Sequence, residues 1–209
     1  MTTSGSSKIL VWDAPTRLFH WLLVLSFAGA YLTAEGERWR LVHVTLGYTM
    51  GGLMAFRIVW GLVGTRYARF SNFVRGPQAV MAYLRSLRSA SPQHFTGHNP
   101  AGAVAIVLLI VTGMVIVATG WATYNEVGGE WLSELHEGAG NTMLAIVGVH
   151  IAGVVAATYL HRENLVRAMI TGTKPGVRGE GARSAWWSVA LVMALCVLAF
   201  WWLQWQSAP

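Results

Sequence analysis

Four of the seven histidines in this chain stand in or beside long apolar runs: His20, His43, His136 and His150. Ionisable side chains there are costly and usually functional. His136 and His150 are fourteen residues apart. On a helix of 3.6 residues per turn, that interval returns to within roughly 40° of its starting direction and spans about 21 Å. One helix therefore presents an imidazole near each face of a membrane on a single stripe. His43 supplies a partner at the outer level and His20 one at the inner level. Two bis-imidazole sites stacked across a bilayer are what two b-type haems need, because haem iron takes axial His ligands.

Arg57 lies fourteen residues after His43, on the same stripe but at the inner level. A buried Arg needs an anion, and no acid lies within any span core. A haem propionate would serve; the alternative is snorkelling inward past Trp60. Gly47, Gly51, Gly148 and Gly153 leave room for a flat macrocycle against the backbone. Gly47 and Gly51 could equally form a small-xxx-small helix contact. His161 reads as a solvated residue beside Arg162, and His94 as a loop residue.

The elements that must position these residues follow from composition. Of 209 residues, 11% are charged and 54% hydrophobic, with 11 Trp and a mean hydropathy of +0.46. A soluble domain carries about 25% charged residues, so lipid must cover part of this surface. Disorder, collagen-like repeats and nucleic-acid binding are excluded as leading readings despite a net charge of +6. The single Cys196 allows no disulfide framework, and the absence of C-x-x-C-H excludes a covalently attached c-type haem.

Five apolar runs each approach the roughly 20 residues that cross the hydrocarbon. They are Leu18–Ala34, Leu41–Val63, Ala101–Thr123, Thr142–Leu160 and Ala185–Leu203. The fourth is expected to begin near Leu135, with its first turns at the interface. The first is longer than a signal h-region and reads as a retained transmembrane helix. Trp186, Trp187, Trp201, Trp202 and Trp205 bracket the fifth as an aromatic belt.

Lys and Arg crowd the N-terminus and the second and fourth loops, whereas the third loop holds only Glu126, Glu130, Glu134 and Glu137. The positive-inside rule then puts the N-terminus in the cytoplasm and the C-terminus in the periplasm of a bacterial inner membrane. Pro77 to Arg88 reads as a short amphipathic helix on the inner surface. The outer acids read either as a docking patch for a basic partner or as solvated acids left behind where Lys and Arg are kept out.

The ordered motifs carry a resemblance. Val11-Trp12-Asp13-Ala14-Pro15-Thr16-Arg17-Leu18-Phe19-His20-Trp21 leads. His43 with Gly47-Tyr48 follows, then Arg57-Ile58-Val59-Trp60-Gly61-Leu62-Val63-Gly64. After Arg69-Phe70 and Phe73-Val74-Arg75-Gly76-Pro77 come Gly97-His98-Asn99-Pro100-Ala101-Gly102, His136-Glu137 and His150. Over about residues 9–175 the chain resembles the bacterial dihaem cytochrome b561 and nickel-iron hydrogenase b-type cytochrome subunit family.

The resemblance implies an all-α integral membrane fold. It comprises a four-transmembrane-helix haem-binding bundle over 1–175; the linker and fifth C-terminal transmembrane helix over 176–209, read from hydropathy, go beyond minimal four-helix members of the family. It implies two haem b held by His20, His43, His136 and His150, with electrons passing between the quinone pool and a periplasmic redox protein. That partner would be a c-type cytochrome or an oxidoreductase subunit. By likeness to the formate dehydrogenase cytochrome subunit, His98, Asn99 and Gly102 become quinone candidates, with ubiquinone or menaquinone as substrate and Arg17 or Arg66 alongside. Capping of the third span by Asn99 is the alternative. Competing functions are a membrane anchor for a soluble enzyme and a metal or proton transporter using the same histidines. Transport fits poorly with the uncharged third span, Ala101 to Gly120.

Overall fold

A computed structural model describes residues 7–89 and 91–207. The chain opens with β1 (Ser7–Leu10) and turns into α1 (Ala14–Leu32). Asp13 caps α1, its Oδ1 accepting from the Thr16 amide at 2.8 Å, and Pro15 sits in the first turn. Cap chemistry rather than hydropathy thus sets the start, four residues before the apolar run begins. A 3-10 turn at Glu37–Trp39 leads into α2 (Arg40–Val63). After α3 (Phe70–Phe73), the amphipathic helix forms as α4 (Pro77–Ser86), with Pro77 in its first turn.

The remaining long helices are α5 (Pro100–Tyr124), α6 (Trp131–His161) and α8 (Trp187–Gln206). At 31 residues α6 is about 46 Å long, well beyond the roughly 30 Å of hydrocarbon. It starts at Trp131, earlier than the expected Leu135, and its acidic first turns project past the apolar zone. α8 starts only after Trp186, whose left-handed backbone (φ 54) delays the helix.

Among the described residues four helices are long and apolar enough to cross a membrane: α2 with its preceding turn, α5, α6 and α8. The 19-residue α1 is not in that set, since Pro15, Thr16, Arg17 and His20 dilute its first turns.

Two small elements depart from the all-α expectation. β1 pairs antiparallel with β2 (Thr173–Gly176), Ser7 opposite Gly176 and Leu10 opposite Thr173. Each strand has four residues, and its partner lies more than 160 residues away, so no local pattern announces the pairing. The short α7 (Leu165–Thr171) precedes β2, capped by Asn164 Oδ1 on the Arg167 amide at 2.7 Å.

The strand pair ties the N-terminus to the loop after α6, so both lie at one end of the molecule. The end of α2 is there too, because Trp60 and Thr65 hydrogen-bond to Asp13. This is the basic end, the one expected on the inner side and called the inner end below. At the opposite end, His43 on α2 bonds to the Ala30 carbonyl of α1. α1 therefore runs antiparallel to α2 along most of its length.

α5 packs against α2 and α6, and α8 against α1 and α2. Met50, Ile116, Ala139 and Met143, with Leu23 and Phe27 against them, form the mid-depth core. Phe19, Leu53 and Met193 seat α8, and Trp201 Nε1 donates to Thr49 Oγ1 at 2.8 Å. Large apolar side chains point outward along these helices, among them Leu62, Val149, Leu191 and Trp202. Lipid suits that surface and water does not.

Candidate functional site

α6 carries His136 near its outer end and His150 nearer its inner end, with Met143 of the apolar core between them. At the outer level, α2 brings His43 to His136, their ring centroids 6.0 Å apart and planes at 76°. A metal–imidazole bond is about 2.0–2.1 Å, so rings on opposite sides of one iron have centroids roughly 6 Å apart. Each Nδ1 is already engaged, that of His43 with the Ala30 carbonyl at 2.8 Å and that of His136 with the Ile116 carbonyl at 2.9 Å.

A carbonyl only accepts, so both Nδ1 atoms carry the proton and both Nε2 lone pairs stay available for a metal. Gly120 of α5 was not singled out in the sequence, yet a Cβ there would lie 2.7 Å from His136 Cε1. Its only signal is a glycine within a strongly apolar span.

At the inner level, α1 brings His20 close enough to His150 for the two imidazoles to feel each other's charge. His20 Nδ1 is buried without a hydrogen-bond partner. Arg57 is 3% exposed and does not snorkel. Its guanidinium lies 4.7 Å from the Phe70 ring and 5.9 Å from that of Phe73, and one Nη is buried and unpartnered. A buried unmade hydrogen bond to a charged donor is costly. An anionic group between these residues would relieve that cost, so the residues present fit haem: Arg57 could meet a propionate at the inner level, and His43 and His136 could supply nitrogen ligands at the outer level.

The sequence reading looked for an acid inside the span cores and missed Asp13, just outside α1 and completely buried. Asp13 lies within electrostatic reach of Arg57, but its carboxylate accepts from Thr16 N, Trp60 Nε1 and Thr65 Oγ1. Its position before Ala14-Pro15 is the N-cap signal that could have found it.

Gly47, Gly148 and Gly153 have open space where a Cβ would point. Gly51 does not: a Cβ there would meet Val117 at 2.9 Å, so Gly51 is a helix contact between α2 and α5.

His98 is brought to the inner level, its ring 4.5 Å from those of both Trp12 and Phe73. It is half-buried by surface but deep among other groups, and its Nδ1 is sealed and unpartnered. Burial pushes its pKa down to about 3, helped by the charges of Arg57 and Lys174 and the nearby His150 and His20. Asn99 takes the capping role, its Oδ1 accepting from Gly102 N at 2.7 Å. Its amide NH2 donates to no described partner.

Arg17 is drawn instead to the Ile170 carbonyl at 2.7 Å and the Trp187 ring, and Arg66 to the Glu180 carbonyl and the Tyr67 ring. His161 is partly exposed, as a solvated residue would be, but it is not isolated. Its ring lies 5.2 Å from that of His94, which in turn bonds Glu163 at 3.1 Å. Both residues are far apart in sequence, so only the fold shows this contact.

Comparison with known proteins decides the family. The family model of prokaryotic cytochrome b561 matches residues 11–172. The chain belongs to the prokaryotic cytochrome b561 family. As such it is a multi-pass membrane cytochrome of the b type, a haem-carrying electron-transfer protein.

It is 27% identical to the "Probable Ni/Fe-hydrogenase B-type cytochrome subunit" of Azotobacter vinelandii, covering 79% of this cytochrome and 88% of that subunit. The protein of the same name from Azotobacter chroococcum mcd 1 is 31% identical, over 62% of this chain and 65% of the other. The "Probable Ni/Fe-hydrogenase 1 B-type cytochrome subunit" of Escherichia coli K12 is 28% identical, over 56% and 60%. No solved structure matches.

Proposed function

We propose that this cytochrome carries electrons across the bacterial inner membrane through two stacked b haems, between the quinone pool and a periplasmic redox partner. The observation that carries the reading is the arrangement on α6: two imidazoles at two depths, that of His136 6.0 Å from the His43 ring of α2 and that of His150 within electrostatic reach of His20 of α1. His43 and His136 would hold the outer haem and His20 and His150 the inner one, with Arg57 on an inner propionate. Haem supplies reversible one-electron redox chemistry. The chain's own groups orient the imidazoles through the Ala30 and Ile116 carbonyls, exclude water with Met50, Ile116 and Met143, and hold a cation at Arg57.

The names of the relatives favour a hydrogenase as the periplasmic oxidoreductase. A reduced-minus-oxidised spectrum with pyridine haemochrome quantitation tests the reading directly. Two haems per chain are expected, and an absence of haem would overturn it.

α1 is proposed as a further membrane crossing. It runs antiparallel to α2 from the inner to the outer end, and its polar first turns pack inside the bundle rather than against lipid. With α1 and the C-terminal α8 there are then five spans, the N-terminus cytoplasmic and the C-terminus periplasmic. Residues 1–175 act as the haem domain, and 176–209 add α8 against α1 and α2. Quinone would bind at the inner level against His98, the Asn99 side-chain NH2 and Gly102 in the first turn of α5. Quinol-driven haem reduction in lipid nanodiscs tests that placement; no reduction by either ubiquinol or menaquinol would remove it.

A further inference from the structure

Beyond the haem and quinone residues, the inner end holds a polar cluster that the function above leaves unused. The left-handed turn at Arg162 ends α6 and folds Glu163 back onto the loop that precedes α5. There Glu163 Oε2 accepts from Lys174 Nζ at 3.0 Å and from His94 Nε2 at 3.1 Å. The His94 ring lies 5.2 Å from that of His161. Exposure falls inward: the side chain of His94 is 51% exposed, that of Glu163 12% and that of Lys174 2%. Lys174 also donates to the Thr96 carbonyl at 3.1 Å, two residues before His98, and its charge reaches His98. Glu163 Oε1 and His98 Nδ1 are both sealed without partners.

We propose that His94, His161 and Glu163, held by Lys174, form the proton-entry path from the inner aqueous face to the quinone site at His98. The proposal rests on the quinone reading above. Reduction of a quinone follows Q + 2 e− + 2 H+ → QH2, the electrons coming from the reduced cytochrome and the protons from inner water.

His94, flanked by His161, takes a proton from water and passes it to the Glu163 carboxylate. Rotation of the carboxyl group turns the proton to the Oε1 side, from which a bridging water would carry it to His98. His98, a neutral ring, accepts that proton at one nitrogen as it gives up the proton on the other to the reduced quinone oxygen, so the imidazole is never left as an anion. Lys174 is a positioning residue, compensating the buried carboxylate so that Glu163 stays on the path. The charged and titratable groups facing Glu163 are His94 and Lys174, with His161 behind His94.

The test uses the haem-loaded protein in lipid nanodiscs, reduced and then mixed with a soluble quinone analogue or with ferricyanide, an oxidant that takes up no proton. Glu163→Gln is expected to slow haem oxidation by quinone roughly tenfold or more, most strongly at alkaline pH, as loss of a proton carrier does. Haem content and oxidation by ferricyanide should not change. His94→Ala should show the same slowing, relieved by added imidazole.

Wild-type rates with quinone in both variants would overturn the path, as would an equal slowing with ferricyanide. Should Glu163→Gln fail to load haem, His94→Ala and its imidazole rescue decide. A wild-type protein that does not react with quinone defeats the quinone reading and the path with it. A reactive wild type with unaffected variants defeats the path alone.

Discussion

Single nitrogens decide what this site can hold. His43 and His136 have their Nδ1 protons fixed on backbone carbonyls of neighbouring helices, so replacing either ring removes one side of the outer site without disturbing His20 or His150. His43→Ala or His136→Ala is expected to lower the haem content from two per chain to one, read by pyridine haemochrome; His20→Ala or His150→Ala should do so at the inner level. Unchanged content in all four variants would rule out the assignment.

Arg57→Leu removes a cation whose Nη is buried and unpartnered. Loss of nearby positive charge favours the oxidised haem, so the inner midpoint should fall by roughly 60 mV or more, a tenfold change for one electron, or the inner haem should be lost. A midpoint that stays put counts against the propionate role.

His98 makes a pH prediction. It stays neutral in the fold down to about 3, whereas the unfolded chain protonates it near 6.5. Between those values the unfolded state binds more protons. Stability is therefore full above about pH 6.5 and falls on acidification, by at most about 1.4 kcal/mol per unit. Thermal unfolding in detergent should be more acid-sensitive in the wild type than in His98→Asn; equal sensitivity would refute it.

At the scale of elements, helix starts matter more than helix middles. Asp13 and Asn99 both cap helices that carry proline in the first turn, and both stand at the inner level. For Asn99 two roles can be separated by chemistry. Asn99→Leu removes the cap and should cost about 1 kcal/mol. Asn99→Asp keeps an oxygen for the Gly102 amide but loses the NH2 donor. If Asn99 binds quinone, the Asp variant keeps its stability while quinol-dependent haem reduction falls. If reduction is intact in the Asp variant, Asn99 is a cap only.

Across the whole molecule, charge is split between the two ends. Six of the nine acidic residues but only two of the fifteen basic ones fall in the outer segments of the sequence. Glu126, Glu130, Glu134 and Glu137 are all exposed at the outer end. Such a face speeds association with a basic partner at low salt. Reversing Glu130 and Glu134 to Lys should slow electron exchange with a basic cytochrome and flatten its ionic-strength dependence. Rates that respond to salt as in the wild type would leave these acids as merely solvated.

The lipid-facing helices, the two imidazole levels on α6 and the split of charge were legible in the sequence, because hydropathy and helical period are local properties. Asp13 at its cap is legible too, from its place just before Ala14-Pro15. The strand pair was not, nor the meeting of His94 with His161 and Glu163, nor the loss of Gly51 to a contact with Val117. Each joins residues distant in the chain, and each depends on how α6, the loop before α5 and the N-terminus close over the inner end. The positions of the histidines along the chain set their depth in the membrane. The packing of α1, α2, α5 and α6 fixed which nitrogens are already bonded and which are left free.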